Sequence, residues 1–453
     1  MIKRTYAEIA KMAGSVGSFT QFADVQINGV TIDSRKIEAG QLFIPFKGER
    51  TDGHQYVADA IEQGAAAAFW QKDVPNPPEN LPLIFVDDSL TAIQALAKSY
   101  LQQLSVKVVG ITGSNGKTST KDMTTSLLSL KYKVQKTEGN YNNHLGLPLT
   151  VLGLEEDTDI AVLEMGMSGR GEIDFLSRLA EPDITVITNI GESHMQDLGS
   201  REGIAEAKLE ILNGLKDNGR FIYFGDEPLL SSRMKSSTID KKTFGMNPSN
   251  DLYPLHIQAQ DNGSAFHINK ITDQFELPVL GDHNILNALA AMLVAEYFNI
   301  PFEEMNKGLQ SLKLTNMRME LVEGQSGVKI INDAYNASPT SMLAAIDVLK
   351  KLPGYKQKIA VLGDMLELGD KEEAFHYEMG ENLEGIDYVL TYGKLGSFIA
   401  RGAKTVLPED RVFTFQEKEP LIETLTNYIN KETVVLVKAS RGMKLEDIVK
   451  AIQ

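Results

Sequence analysis

The sequence predicts an α/β protein of three domains, and three observations carry that prediction. Short apolar runs of buried-strand type alternate with helical segments through most of the chain, the pattern of mainly parallel sheets covered on both faces. A glycine-rich turn joins one such run to a helix, which marks the ligand-binding edge of an open sheet. The length of 453 residues corresponds to roughly three domains at about 150 residues each.

Residues 1–104 predict a small α/β domain. Its strand-like runs are Val30-Thr31-Ile32, Leu42-Phe43-Ile44 and Leu83-Ile84-Phe85-Val86, with a helix over 56–63. The proline-rich stretch 74–82 reads as a surface loop, and a helix over 91–104 leads onward. Residues 105–314 predict a doubly wound, mainly parallel sheet. Ile160-Ala161-Val162-Leu163, Ile184-Thr185-Val186-Ile187 and Phe221-Ile222-Tyr223-Phe224 are continuous apolar runs between polar turns. The segment 252–280 reads instead as short antiparallel strands turning at Asp261-Asn262-Gly263, followed by a helix over 284–298. The alternation restarts in 315–453, with strands at 328–331, 359–362, 388–390 and 434–437, and this predicts a second, Rossmann-like sheet. The helix over 339–352 is well signalled: Ser338 stands ready to cap it, Pro339 occupies its first position, and Gly354 lies just past its end.

Composition narrows the function. Hydrophobic residues make up 42% and charged residues 23%, the balance of a globular chain with ample core. The net charge of −16 comes with no long basic block, which argues against a nucleic-acid partner. Cysteine is absent, excluding disulfides, thiolate metal sites and a cysteine nucleophile. The N-terminus lacks an apolar signal core and no run approaches the roughly 18 apolar residues of a membrane span. The expectation is a cytoplasmic protein without a membrane partner.

The stretch Val108-Val109-Gly110-Ile111-Thr112-Gly113-Ser114-Asn115-Gly116-Lys117-Thr118-Ser119 carries the strongest chemical signal. Glycines let backbone N–H groups close around phosphate oxygens, and the helix N-terminus adds positive partial charge. Lys117 would reach the β- and γ-phosphates and Thr118 would ligate magnesium. The spacing, G-x-x-G-x-x-G-K-T, is a variant of the common phosphate loop. The alternative is a glycine-rich turn with a chance Lys-Thr. ATP with Mg²⁺ is the expected cofactor pair.

Other polar residues fall at predicted strand ends. Glu164 follows a buried run, at the edge where ligands bind in open sheets, and is placed to hold magnesium or simply to be solvated. His194 follows the next run, as a ligand or as a structural histidine. In the helical stretch 202–215, Ile204, Lys208, Ile211, Leu212 and Leu215 fall on one stripe. Lys208 is therefore a lysine on an apolar face, either snorkelling outward or neutralised, paired or modified. Asn284 enters an alanine-rich helix, either to pair with an adenine edge or to cap the helix. Asp333 follows a strand of the last domain, facing ribose hydroxyls or a metal, or belonging to a plain loop. Lys438 and Arg441 follow the final strand, where an anion could be met.

Together these motifs resemble the Mur ligase family, ATP-dependent amide-bond ligases of bacterial cell-wall precursor synthesis. The loop Gly113–Thr118 has that family's variant spacing, and Glu164, His194, Lys208, Asp282-His283-Asn284, Arg318 and Asp333 fall in its order, so the resemblance covers essentially the whole chain. The segments 137–143 (Thr-Glu-Gly-Asn-Tyr-Asn-Asn), 333–339 (Asp-Ala-Tyr-Asn-Ala-Ser-Pro) and 361–369 (Val-Leu-Gly-Asp-Met-Leu-Glu-Leu-Gly) are similar to the branch that joins D-alanyl-D-alanine to UDP-N-acetylmuramoyl-tripeptide. Asp33-Ser34-Arg35, Lys47-Gly48-Glu49 and Asp52-Gly53-His54 resemble the family's UDP-sugar-binding module.

The resemblance implies a mechanism. ATP phosphorylates the tripeptide carboxylate, and the amine of the dipeptide attacks the resulting acyl phosphate. Lys117 and Arg318 would offset phosphoryl charge, Thr118 and Glu164 would hold one magnesium, and His194 would help to hold a second. Lys208 matches a position carbamylated in many family members, where CO₂ turns a cation that repels magnesium into an anion that binds it. Asn284 would contact adenine and Asp333 the ribose. Ser34, Arg35 and Lys47 would lie near the uridine diphosphate, Asn142 and Arg170 near the peptide arm, and Asn336 would contact substrate. Lys438 and Arg441 would meet the acceptor dipeptide or the acyl phosphate, the whole acting as a monomer. Two other readings stay open. One is a sister ligase, adding the third amino acid to the UDP-dipeptide or extending folates. The other is a nucleotide-binding scaffold without catalysis.

Overall fold

Adjacent strand ends decide which loops meet. The computed structural model describes residues 1–15, 21–49 and 51–453. Its central sheet has six parallel strands in the order Asp240–Phe244, Arg220–Phe224, Ile184–Ile187, Lys107–Thr112, Ile160–Glu164 and Val134–Lys136. Lys107–Thr112 comes first in the chain yet lies inside the sheet. Later strands add on both of its sides, so its carboxyl end is where the winding changes direction.

The last sheet also has six strands, ordered Glu320–Glu323, Lys329–Asn332, Thr433–Lys438, Gln357–Gly363, Tyr388–Tyr392 and Val412–Phe415. All its pairs are parallel except the first, where Glu320–Glu323 runs antiparallel along one edge. Toward the N-terminus, Val30–Thr31, Leu42–Phe43, Ala67–Gln71 and Leu83–Val86 form a four-stranded parallel sheet. A hairpin-like pair, Lys3–Thr5 with Gln26–Asn28, and a three-stranded antiparallel sheet, Pro254–Gln260, Gly263–Ile268 and Phe275–Leu277, complete the set.

Alternation along the central strands joins these units. Val109, Ile111, Val162 and Val186 face a core shared with the helix Asp282–Tyr297 and with Ile331, Leu362 and Leu436 of the last sheet. Their neighbours Val108, Leu163 and Ile187 face a second core shared with Ile84, Phe69 and Leu96 of the N-terminal unit. Successive side chains of a strand point to opposite faces. The central sheet is thus packed between the other two units.

Several elements differ from the expectations. Ala67–Gln71 is a fully buried strand; its Ala-Ala-Ala lead-in carries little strand signal. Val134–Lys136, Asp240–Phe244, Glu320–Glu323 and Val412–Phe415 were not expected either, and each takes an edge or near-edge place where polar residues are tolerated. The helix expected over 202–215 ends at Leu209, and a 3₁₀ turn, Glu210–Gly214, continues it. The helix expected to begin at residue 91 begins at Ser89, because Asp88 accepts the Thr91 amide at 2.7 Å. Ser338 caps Pro339–Lys351 as expected. Among the described residues, no helix is long and apolar enough to cross a membrane.

Candidate active site

Three neighbouring strand ends of the central sheet deliver the site's first half. Ile111 pairs with Glu164, and Thr112 with Ile187. The loop after residue 112, the segment after 164 and the turn over 188–194 therefore emerge side by side. Gly113 holds φ +151° and Gly116 φ +80°, backbone conformations that favour glycine. A Cβ at Gly113 would overlap the Thr188 hydroxyl, and one at Gly116 would overlap the Asn287 amide. Spacing decides why these two glycines are required. The first lets the loop close on the next strand, and the second opens the helix Lys117–Leu128.

The loop is braced from outside. Thr188 Oγ1 donates to Asn115 O at 2.5 Å, the Asn115 amide donates to Asn189 Oδ1 at 2.9 Å, and the Gly191 amide donates to Ser114 Oγ at 2.8 Å. Lys117 folds back so that Nζ donates to Gly113 O at 2.8 Å. Burial, reinforced by Arg318 and opposed by Glu164, pulls the Lys117 ammonium below its ordinary pKa.

Strand ends of the last sheet supply the second half. Asn332 pairs with Val437 and Leu362 with Lys438, which sets Asp333 beside Lys438. Lys438 Nζ donates to Asp333 Oδ2 at 2.5 Å and to Asn336 O at 2.9 Å, and the Met319 amide donates to Asp333 Oδ1 at 3.1 Å. Arg318 Nη2 donates to Thr118 Oγ1 at 3.2 Å, and its guanidinium lies 4.1 Å from the Tyr335 ring centre. The two sheets thereby face each other edge to edge. Ser338 Oγ donates to Asn115 Oδ1 at 3.2 Å, and Thr340 Oγ1 donates to Glu192 Oε2 at 2.6 Å.

Between them lies a cavity of about 620 Å³. Its wall brings together the expected residues Ser114 through Ser119, Asn142, Glu164, His194, Asn284, Arg318, Asp333, Asn336 and Lys438. Glu164 Oε1 accepts from Asn142 Nδ2 at 2.7 Å, while Oε2 is buried with no hydrogen-bond partner. A buried carboxylate oxygen left open beside a phosphate-type loop fits a divalent cation. So does the hard oxygen set of Thr118 and Glu164, since Mg²⁺ on a nucleotide needs only one or two protein ligands. Among the described residues no three acidic or histidine side chains converge into an all-protein cage.

His194 sits at φ +64°, an orientation rare for a non-glycine residue. Its Nδ1 lies 2.8 Å from Glu367 Oε2. Burial, with Lys117 and Lys208 adding to it and Glu367 opposing, lowers the imidazole pKa. Lys208 is not part of the cavity wall and is only 2% exposed. Among the described residues it has no ion pair, and burial together with the charge of Lys117 drives its pKa well down. The apolar stripe therefore buries the amine, and the snorkelling alternative fails.

Asn284 does not cap its helix. Gly281 occupies the cap position, and the Asn284 amide donates to Leu280 O at 2.8 Å and accepts from Asn287 at 3.1 Å. Its side chain is spent inside the wall, 2% exposed. Arg441 lies in a smaller neighbouring pocket with His194 and Glu367, its Nη1 on Glu446 Oε1 at 2.6 Å. Arg170 is not part of the cavity wall and pairs with Glu206 at 2.9 Å.

The N-terminal candidates do not converge. Arg35 is highly exposed and folds onto Asp33 at 2.8 Å, and Lys47 pairs with Asp73 at 2.5 Å. Ser34, Arg35 and Lys47 are absent from the wall of the nearby groove of about 410 Å³. Thr31, Asp33 and Lys36 face Lys136, Glu138 and Tyr141 across it. Sequence reasoning missed Thr188, Asn189, Asn287 and Tyr335, the braces of the loop and of Arg318. They lack chemical signatures of their own, although Tyr335 lies within the stretch 333–339 already singled out.

The chain matches three family models in the same order as its sheets. The Mur ligase family catalytic domain spans 26–101, the Mur ligase middle domain 111–295, and the Mur ligase glutamate ligase domain 317–441. The chain belongs to the Mur ligase family. This Mur ligase is 56% identical over 452 residues to the UDP-N-acetylmuramoyl-tripeptide–D-alanyl-D-alanine ligase of Bacillus subtilis, covering 99% of this chain and 98% of that one. A MurF crystal structure from Acinetobacter baumannii superposes with a TM-score of 0.90 at 28% identity, over 99% of this chain and 98% of that one. The MurF ligase of Thermotoga maritima, solved in complex with ADP, gives 0.83 at 30% identity, over 94% and 96%.

Proposed function

We propose that this Mur ligase uses ATP to join D-alanyl-D-alanine to the terminal carboxylate of UDP-N-acetylmuramoyl-tripeptide. One observation carries the reading. The phosphate loop, Glu164, His194, Arg318 and Asp333 line a single cavity between two sheet edges, in a chain that matches such a ligase over its full length.

A carboxylate is a poor acyl donor at neutral pH, and this is the reason for spending ATP. Its oxygen attacks the γ-phosphorus, the bond to the β-phosphate oxygen breaks, and acyl phosphate and ADP result. The neutral amine of D-alanyl-D-alanine then attacks the carbonyl carbon. The tetrahedral intermediate expels phosphate, its nitrogen loses a proton, and an amide remains.

Catalysis of this kind is mainly positioning and charge stabilisation. The amides of Gly113–Ser119 would cradle the phosphates, with Lys117 and Arg318 offsetting charge on the moving phosphoryl group. Mg²⁺, held by Thr118 and Glu164, would supply further positive charge there. His194 would help to hold a second ion, and carbamylation of Lys208 would replace a buried cation by an anion facing it. Asp333 would meet the ribose, and Lys438 the acceptor side. Asn284 would shape the adenine pocket through its fixed amide.

The UDP end would occupy the groove of Thr31, Asp33, Lys36 and Tyr141, with Ser34 and Arg35 at its rim. Tyr141 lines the groove and Asn142 lines the cavity, so one short segment leads from sugar to reacting carboxylate. The deciding measurement is phosphate release from ATP and Mg²⁺ with UDP-muramoyl-tripeptide. Release that needs both the tripeptide and D-alanyl-D-alanine supports the reading. Release with a UDP-dipeptide and a single amino acid would make it a sister ligase, and no release despite ATP binding a scaffold.

A further inference from the structure

The phosphate-loop helix carries a second set of charges that the chemistry above does not use. Asp122 and Lys121 lie one turn beyond Thr118 and Lys117, and both are buried, at 2% and 0% exposure. Asp122 Oδ1 accepts from Lys136 Nζ at 2.7 Å and lies 3.5 Å from Lys121 Nζ. Its other oxygen leaves the central unit altogether. Asp122 Oδ2 accepts from the Thr315 amide at 2.8 Å and from Thr315 Oγ1 at 2.9 Å.

Thr315 belongs to the connector that leads from the helix Phe302–Gln310 into the last sheet. Three residues further on, Arg318 reaches Thr118. The connector therefore runs antiparallel along the helix, with Thr315 against Asp122 and Arg318 against Thr118. Two contacts one turn apart, about 6 Å along the axis, fix both the position and the register of the connector. Arg318 reaches Thr118 through a long, rotatable side chain, whereas Thr315 is held at both its amide and its hydroxyl. Lys121 extends the same brace to the metal side. Its Nζ donates to Thr137 O at 2.9 Å, and Thr137 Oγ1 accepts the Glu164 amide at 3.0 Å.

We infer that Asp122 is a positioning residue: it pins the interdomain connector at Thr315 and so sets Arg318 for the terminal phosphate of the nucleotide. The inference rests on the reading of Arg318 given above. It predicts a discrimination that general damage to the fold does not, because the Thr315 contact bears on Arg318 and not on the loop amides that would hold the diphosphate.

The test measures binding of Mg²⁺ with adenylyl imidodiphosphate, and separately with ADP, to the full chain without acceptor substrates. Asp122→Asn is expected to weaken the triphosphate analogue about tenfold while leaving ADP within twofold. Thr315→Val removes only the hydroxyl bond and leaves the buried charges in place; it is expected to weaken the analogue about threefold, and it carries the test should Asp122→Asn not fold. In an Arg318→Ala background neither substitution should cost anything further. Equal losses for analogue and ADP, losses that persist in that background, or no loss with Thr315→Val would each overturn the inference. If Arg318→Ala itself failed to discriminate the two nucleotides, the reading of Arg318 would fall and the inference with it. The ligase reaction is tested separately, by phosphate release.

Discussion

The cleft between the central and last sheets and the groove beside the N-terminal sheet hold their polar groups in different ways. In the cleft, backbone amides, two glycines at positive φ and buried side chains are locked by bonds between neighbouring strand ends. Around the groove, Arg35 and Lys47 sit on exposed loops and are spent on nearby carboxylates. A motif whose function lies in its backbone stays where the fold puts it. A motif made of long exposed side chains takes its geometry from the ligand. Preorganisation is the difference.

That contrast predicts a steep order of mutational effects. Lys117→Met should lower phosphate release by roughly a thousandfold if Lys117 offsets phosphoryl charge as proposed; a loss below tenfold would break the contrast at its strongest point. Lys208→Ala should cost about a hundredfold, and carbon-13 bicarbonate should give a carbamate NMR signal in the parent chain that the variant lacks. Unchanged activity together with no such signal would remove Lys208 from the site. Arg35→Ala should raise the KM for the UDP-linked tripeptide by less than about tenfold and leave that for ATP unchanged, as expected of an exposed side chain outside the groove wall. An equal effect on both substrates would show that the groove and the cleft are more tightly coupled than their geometry indicates.

Smaller effects sharpen the same comparison in stability. Asp183 sits beneath the central sheet, where it accepts from the Val108 amide at 3.0 Å and pairs with Lys216 and Lys107. Burial opposes its ionisation, but Lys216, the Val108 amide and Lys107 outweigh burial and hold the carboxyl below its ordinary value. The folded chain therefore binds fewer protons at this group than the unfolded one. Its contribution is present above the unfolded pKa of about 3.9 and is lost as pH falls through the folded value. Asp183→Asn should cost about 2 kcal/mol at pH 7 and flatten the acid limb of a stability–pH curve; an unchanged limb would assign that slope to other carboxylates. Lys47→Ala, at an exposed ion pair, should change stability by less than about 0.5 kcal/mol.

How much was legible in the sequence differs element by element. Ile184–Ile187 and Leu83–Val86 were read with the bounds the structure gives them, because buried parallel strands are continuous apolar runs. Ala67–Gln71 was missed, since alanines carry little strand signal. The stripe through 202–215 put Lys208 on an apolar face and left its amine either buried or snorkelling, and it concealed the 3₁₀ turn at Glu210–Gly214, where the apolar spacing continues after the α-helix has ended. In the site, Lys117, Thr118 and Glu164 could be read from spacing because each lies at a strand end or helix start. Thr188 and Asn287 could not. They act by filling the space that Gly113 and Gly116 leave open, and spacing does not reveal which residue of another segment will do that.

The sequence alone determined the three α/β units, the phosphate loop and the strand ends on which the candidate catalytic residues stand. These follow from local periodicity and from the conformational needs of glycine, both of which act over a few residues. Only the tertiary structure decided that the carboxyl edges of two separate sheets face each other, that Asn284 spends its amide within the wall, and that Asp122 reaches across to Thr315. Contacts of that kind depend on which strands pair and which faces pack, and the chain settles them over separations of up to 223 residues, as between Asn115 and Ser338.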